Sequence, residues 1–170
     1  VMLGVYENFP ASIHEKAYFA AYISNKTLQK ALTQALYNLN NATFKLEEIT
    51  NPSVPQCTAI FEFGIAEEAN FNYLDMEETR RILKIVRKKP FRIMDFFCAL
   101  CYYKVQEGEK APLKFDYYMI RFIFGKNSME VRVFHERGPR HASPKDIISF
   151  IVTKINERLP RRKVKPLHFS

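Results

Sequence analysis

The chain has 170 residues and a formal net charge of +8, with 26 Lys and Arg against 18 Asp and Glu. Hydrophobic residues at 47% and charged residues at 26% exclude a mostly disordered chain. A chain of this size buries roughly 70% of its unfolded surface, so neither a disulfide framework nor a structural metal is required to hold a core.

Fifteen Phe and nine Tyr with no Trp point to an aromatic core of β character. Residues 14–23 (HEKAYFAAYI) read as the first strand. Ser24 or Asn25 then supplies an N-cap, and Leu28, Ala31, Leu32, Ala35, Leu36 and Leu39 recur at helical spacing up to a stop at Asn40-Asn41. Residues 43–50 alternate as a strand, and 51–56 (NPSVPQ) form a loop, because two prolines do not fit a paired strand. Residues 57–65 return to strand, 66–68 turn, and 69–74 make a further short strand. Asp75 with Glu78 three residues on resembles a capping box and opens a second helix, in which Ile82, Leu83 and Val86 face inward. Pro90 limits that helix. Residues 91–106 are apolar with weak alternation, as expected of a central strand.

A turn over 107–112 (EGEKAP) leads to the clearest hairpin, residues 113–124 and 129–137 joined across Gly125-Lys126-Asn127-Ser128. A symmetric loop pairs Phe124 with Met129, Phe122 with Val131 and Ile120 with Val133 on a core face. On the other face it pairs Ile123 with Glu130, Arg121 with Arg132 and Tyr117 with Glu136. Ser143 as N-cap, Pro144 at the first helical position and Asp146 in the first turn then open a third helix. Its apolar stripe ends at Pro160. The expected fold is α+β, with three helices on one face of a mainly antiparallel sheet of about six strands. One domain over 1–159 carries a basic, loose tail at 160–170.

The charge is unevenly spread. Residues 1–79 hold four Lys against ten acids, whereas 80–92 (RRILKIVRKKPFR) hold seven bases and no acid. The segment 158–170 adds five bases and no acid. Runs of one sign suit an anionic partner, since Lys and Arg release counterions when they meet phosphates. The candidate phosphate contacts are Arg80, Arg81, Lys84, Arg87 and Lys88 on the second helix. Arg137, Arg140, His141 and Lys145 follow at the turn into the third helix, and Arg161, Arg162 and Lys163 in the tail. At that turn, backbone N–H groups add an anion-binding element. Tyr117 and Phe134, on the hairpin's mixed face, are candidates to stack on bases.

The hairpin register also sets Tyr118 opposite His135 and Asp116 opposite Arg137. These four could form an anion-binding pocket with His as acid or base and Arg as clamp. The alternative is a buried cross-strand pairing at the sheet rim.

Cys98-x-x-Cys101 falls on a strand, where positions three apart face opposite ways, so it is not read as a zinc half-site. His135 and His141 do not have a usual metal spacing. No P-loop, G-x-S-x-G, G-x-G-x-x-G or H-E-x-x-H occurs, and neither metal nor cofactor is expected. Three cysteines without a leader-like N-terminus, and no apolar run of membrane-spanning length, suggest a cytoplasmic protein with reduced thiols and no membrane contact. The leading expectation is therefore a binding protein for RNA or single-stranded nucleic acid. An enzyme or small-ligand protein using the four-residue pocket is the second class, and an oligomeric or partner-binding subunit the third.

Overall fold

The computed structural model describes residues 2–51, 57–106, 109–161 and 163–166, with backbone alone for 105–106 and 109–113. In chain order the elements are β1 (Met2–Val5), β2 (Glu15–Ala21), α1 (Asn25–Leu39), β3 (Thr43–Lys45), a 3-10 turn (Leu46–Glu48), β4 (Cys57–Glu67) and β5 (Asn70–Tyr73). They continue with α2 (Met76–Lys88), β6 (Ile93–Gln106), β7 (Glu109–Gly125), β8 (Ser128–Arg137), α3 (Pro144–Glu157) and β9 (Val164–Pro166).

The strands form one sheet in the order β1-β5-β4-β6-β7-β8-β2-β9, with β3 paired to β4, and every strand pairing is antiparallel. The fold is α+β, as the sequence predicts, but with nine strands among the described residues rather than about six. The additional strands β1 and β9 are three or four residues long and stand at the sheet's two edges. They carry too few alternating positions to be read from pattern, and Pro166 sits in β9 because an edge tolerates a missing donor. Residues 43–50 hold only a three-residue strand, after which Leu46 turns into the core. The predicted 107–112 turn is shorter than expected: 107–108 lie outside the described residues, and 109–112 are already strand. Leu113 is the extra residue of a bulge between the pairs Tyr102–Lys114 and Tyr103–Pro112. Pro112 is tolerated because this part of β7 pairs with β6 alone. The loop expected over 51–56 falls almost entirely outside the described residues.

Helix starts follow the predicted caps. Ser24, Asp75 and Ser143 each accept a backbone N–H from the residue three further on. All three helices cover one face. Alternate residues of β4 (Ala59, Phe61, Phe63), β6 (Phe96, Cys98, Leu100), β7 (Tyr118, Ile120, Phe122) and β8 (Met129, Val131, Val133) enter one core with α1, α2 and α3. β6 is central, as its weak alternation implied.

The opposite face is crossed by the segment between β1 and β2, which must travel from one edge of the sheet to the other. Tyr6 Oη donates to Asp95 Oδ2, Phe9 lies against the Arg121 guanidinium at 4.7 Å, and His14 stacks on Phe134 at 5.0 Å. Asp95 in turn takes two bonds from Arg121, at 2.8 and 2.9 Å. Residues 6–14 are thus a strap held by one buried acid and three rings.

Strand alternation gives the molecule two ends. The upper end holds the Lys126-Asn127 turn, and the lower end lies where β8 leaves the sheet after Arg137, beyond which β6 and β7 run on as a pair. β8 runs from one to the other over ten residues, roughly 30 Å.

Candidate functional site

At the lower end, the hairpin register is as predicted from Phe124–Met129 through Tyr118–His135. It then shifts: Tyr117 pairs with Arg137, not with Glu136, and Glu136 is the extra residue of a bulge. Asp116 therefore does not face Arg137. Arg137 instead lies over the Tyr117 ring on the open face, its guanidinium 4.4 Å from the ring centre.

Asp116 points the other way and is fully buried. Tyr102 Oη donates to its Oδ2, and His135 Nε2 stands 2.7 Å from Oδ1. The backbone N–H groups of Arg140 and His141 donate to Oδ1 and Oδ2 at 2.6 and 2.9 Å. Four donors thus converge on a group with about four acceptor positions, which leaves none for a ligand. The N–H groups expected to face a phosphate face this carboxyl. Tyr118 is fully buried and donates to the Ala142 carbonyl. Burial, chiefly, pushes the Tyr102 and Tyr118 hydroxyls up, so both stay protonated donors. Of the predicted pocket, Asp116, Tyr118 and His135 come together beneath the core, and Arg137 does not join them. Gly138 closes the turn at a φ of +116°, where a side chain would collide with the Phe115 carbonyl.

The upper end gathers different groups. Asn25 Nδ2 donates to the Gly125 carbonyl at 3.3 Å, Phe124 N–H to the Arg92 carbonyl at 2.9 Å, and Ala21 N–H to the Asn127 carbonyl at 3.0 Å. β9 returns to pair Val164 with Ala21, and Asn156 holds Val164 through both its backbone groups. The start of α1, the end of α2, the β7–β8 turn and the chain after α3 are therefore neighbours. They carry Lys26, Lys30, Arg87, Lys88, Lys89, Arg92, Lys126, Arg158, Arg161 and Lys165, all exposed, and the half-buried Lys163. Lys26, Lys30 and Arg87 line one groove of about 230 Å³ between α1 and α2, floored by Leu83 and Val86.

None of these bases forms an ion pair among the described residues, although Arg158 bonds the Gln34 amide at 3.0 Å. Acids near this end are mostly engaged: Asp95 with Arg121, Glu130 with Arg132, Glu157 with Lys154 and Glu67 with Arg81. Glu68, at the β4–β5 turn, carries no such pair among the described residues.

The predicted phosphate contacts are thus divided. Arg87, Lys88, Arg161 and Lys163 lie at the upper end, Arg80 and Lys84 lower on the exposed side of α2, and Arg137, Arg140, His141 and Lys145 at the far end. Arg81 is held by Glu78 and Glu67, whose bonds raise its pKa. Arg162 and residues 167–170 lie outside the described residues. Sequence reading gives no sign of Lys26, Lys30 and Lys126, which stand singly and meet the others only through long-range pairing, whereas Lys89 and Arg92 belong to the basic run 80–92. Phe134 is already stacked by His14, whereas Tyr117 is flanked by Phe97 and Phe115.

Cys57, Cys98 and Cys101 are free and buried, with Cys98 in the helix-side core and Cys101 on the other face. No group of three or more His, Cys, Asp or Glu among the described residues is placed to hold a metal ion. No helix among them is long and apolar enough to cross a membrane. Comparison with protein-family models, with curated proteins and with solved structures finds no match to this chain.

Proposed function

We propose that the chain is a binding protein for an anionic polymer, namely RNA or single-stranded nucleic acid, which it holds at the upper end. The observation that carries this reading is the meeting there of bases from four separate segments that form no ion pair among the described residues. A solvated surface ordinarily mixes signs, and eleven bases drawn together repel one another. A polyanion relieves that repulsion and gains entropy from released counterions.

The experiment is a salt titration of a labelled single-stranded oligonucleotide. If about six phosphates are contacted, log affinity falls against log salt with a slope of about −4. Flat affinity, or no binding at low salt, contradicts the reading.

A second reading, head-to-tail self-association, draws on the acids at the lower end, where Glu47, Glu48 and Asp146 line one cleft. Arg137, Arg140 and Lys145 share that end and weaken the complementarity. Light scattering across salt concentration separates the two: self-association raises the particle mass at low salt without added polymer.

A further inference from the structure

On the open face, three aromatic rings run in series from β6 to the exposed corner of β7. Phe97 stacks on Tyr117 at 5.7 Å and 29°, and Tyr117 on Phe115 at 5.8 Å and 14°. Phe115 ends the series 44% exposed. It lies where β8 leaves the sheet, so β7 has a partner on one side only.

The Glu136 bulge carries Arg137 across the Tyr117 ring, and the tight turn at Gly138 packs against the Phe115 backbone. A shallow cleft of about 560 Å³ results, lined by Lys114, Phe115, Tyr117, Arg137, Gly138 and Pro139. Its lining holds two cations, the open Phe115 ring beside the Tyr117 ring that Arg137 covers, and no acid. The strap does not supply any of these lining residues; its contacts are with Asp95, Arg121 and Phe134.

A flat apolar face beside two cations that form no ion pair among the described residues suits a planar base attached to a phosphate, and every base has such a face. Stacking of this kind requires the base to be out of a duplex. We infer that the Phe115–Tyr117 cleft takes an unstacked base, with the adjoining phosphate on Lys114 and Arg137, so that the protein selects single strands over duplexes. This inference rests on the polyanion reading and adds to it the form of the polymer. Tyr117 lies eight residues along β7 from Gly125, so the cleft is roughly 27 Å from the upper end.

The test compares four probes: a single strand of about 16 nucleotides, the same strand made abasic, the blunt duplex, and long-chain inorganic polyphosphate. Wild type binds the base-bearing strand roughly 5- to 100-fold more tightly than the abasic strand. Phe115→Ala removes that ratio and leaves polyphosphate binding unchanged, while Phe115→Tyr, which keeps the ring, preserves it. Arg137→Ala, at an exposed position, removes a phosphate contact that both strands share and so weakens both without moving the ratio. Phe115→Leu, which keeps apolar bulk without the flat ring, also lowers the ratio and carries the test if the Phe115→Ala protein does not fold. Equal affinity for abasic and base-bearing strands, or a ratio unmoved by Phe115→Ala and Phe115→Leu, overturns the cleft while polyphosphate binding keeps the polyanion reading. Failure of all four probes to bind at low salt overturns both.

Discussion

The two ends of the sheet treat their polar groups in opposite ways. At the lower end a single buried carboxyl, Asp116, satisfies a tyrosine, a histidine and two backbone donors, and so pins the turn into α3 against the sheet. At the upper end eleven bases from four segments stand without an ion pair among the described residues. A polar cluster that completes itself is a structural device; the one that leaves like charges uncompensated is where we propose that an outside anion binds. Titratable residues brought close together therefore do not mark a site by themselves, and what matters is whether their bonding capacity is used up.

Substitutions separate the two ends by what they damage. The largest effect is expected for Asp116→Ala, which strands Tyr102, His135 and two N–H groups in the core. It costs about 3–5 kcal/mol of stability, read from urea unfolding. Asp95→Ala comes next, because it leaves Arg121 and Tyr6 without their shared acceptor; about 2 kcal/mol is expected. Faster hydrogen exchange confined to residues 6–14 would identify that loss with release of the strap. Tyr6, whose hydroxyl is pushed up to about 12 by burial and by Asp95, remains a donor throughout the accessible range.

A smaller effect comes from His14. Its Nδ1 accepts the His135 N–H at 2.9 Å, which a protonated ring cannot do. Desolvation, then Arg140 and His135, lower its pKa below the usual 6.5. The unfolded chain thus binds the proton more readily. The contribution of His14 is complete above pH 6.5 and is lost as pH falls through the folded-state value. Urea unfolding across that window should show stability declining toward acid, with a shallower decline in His14→Ala. Equal slopes would contradict the assignment.

Much of the fold is legible in the chain because its signals are local. Caps at Ser24, Asp75 and Ser143 begin all three helices, and the Gly125–Ser128 turn sets the β7–β8 register for as long as alternation is unbroken. Alternation does not announce a bulge, so the register drawn from the turn ran past Glu136 and set Asp116 against Arg137. That one-residue step turns Arg137 to the opposite face and converts a supposed pocket into a closed network plus an exposed aromatic cleft. The runs 80–92 and 158–165 are visible as charge, but three of the eleven bases at the basic end are not. Lys26, Lys30 and Lys126 each stand alone in sequence, and only pairing of β2 with β8 and β9 brings them beside Lys88 and Lys163. The net charge of +8 carries none of this information; its arrangement does.

The most direct test of the central claim neutralises two bases at each end and compares the salt dependence of single-strand binding. Lys88→Gln with Lys126→Gln alters the upper end, and Arg140→Gln with Lys145→Gln the lower, all at exposed side chains where stability should change by no more than about 0.5 kcal/mol. The upper pair should lower affinity at least tenfold and flatten the log–log slope by about 1 to 1.5, and the lower pair should leave the slope unchanged. Equal losses from both pairs, or a slope untouched by the upper pair, would contradict a polyanion site at the basic end.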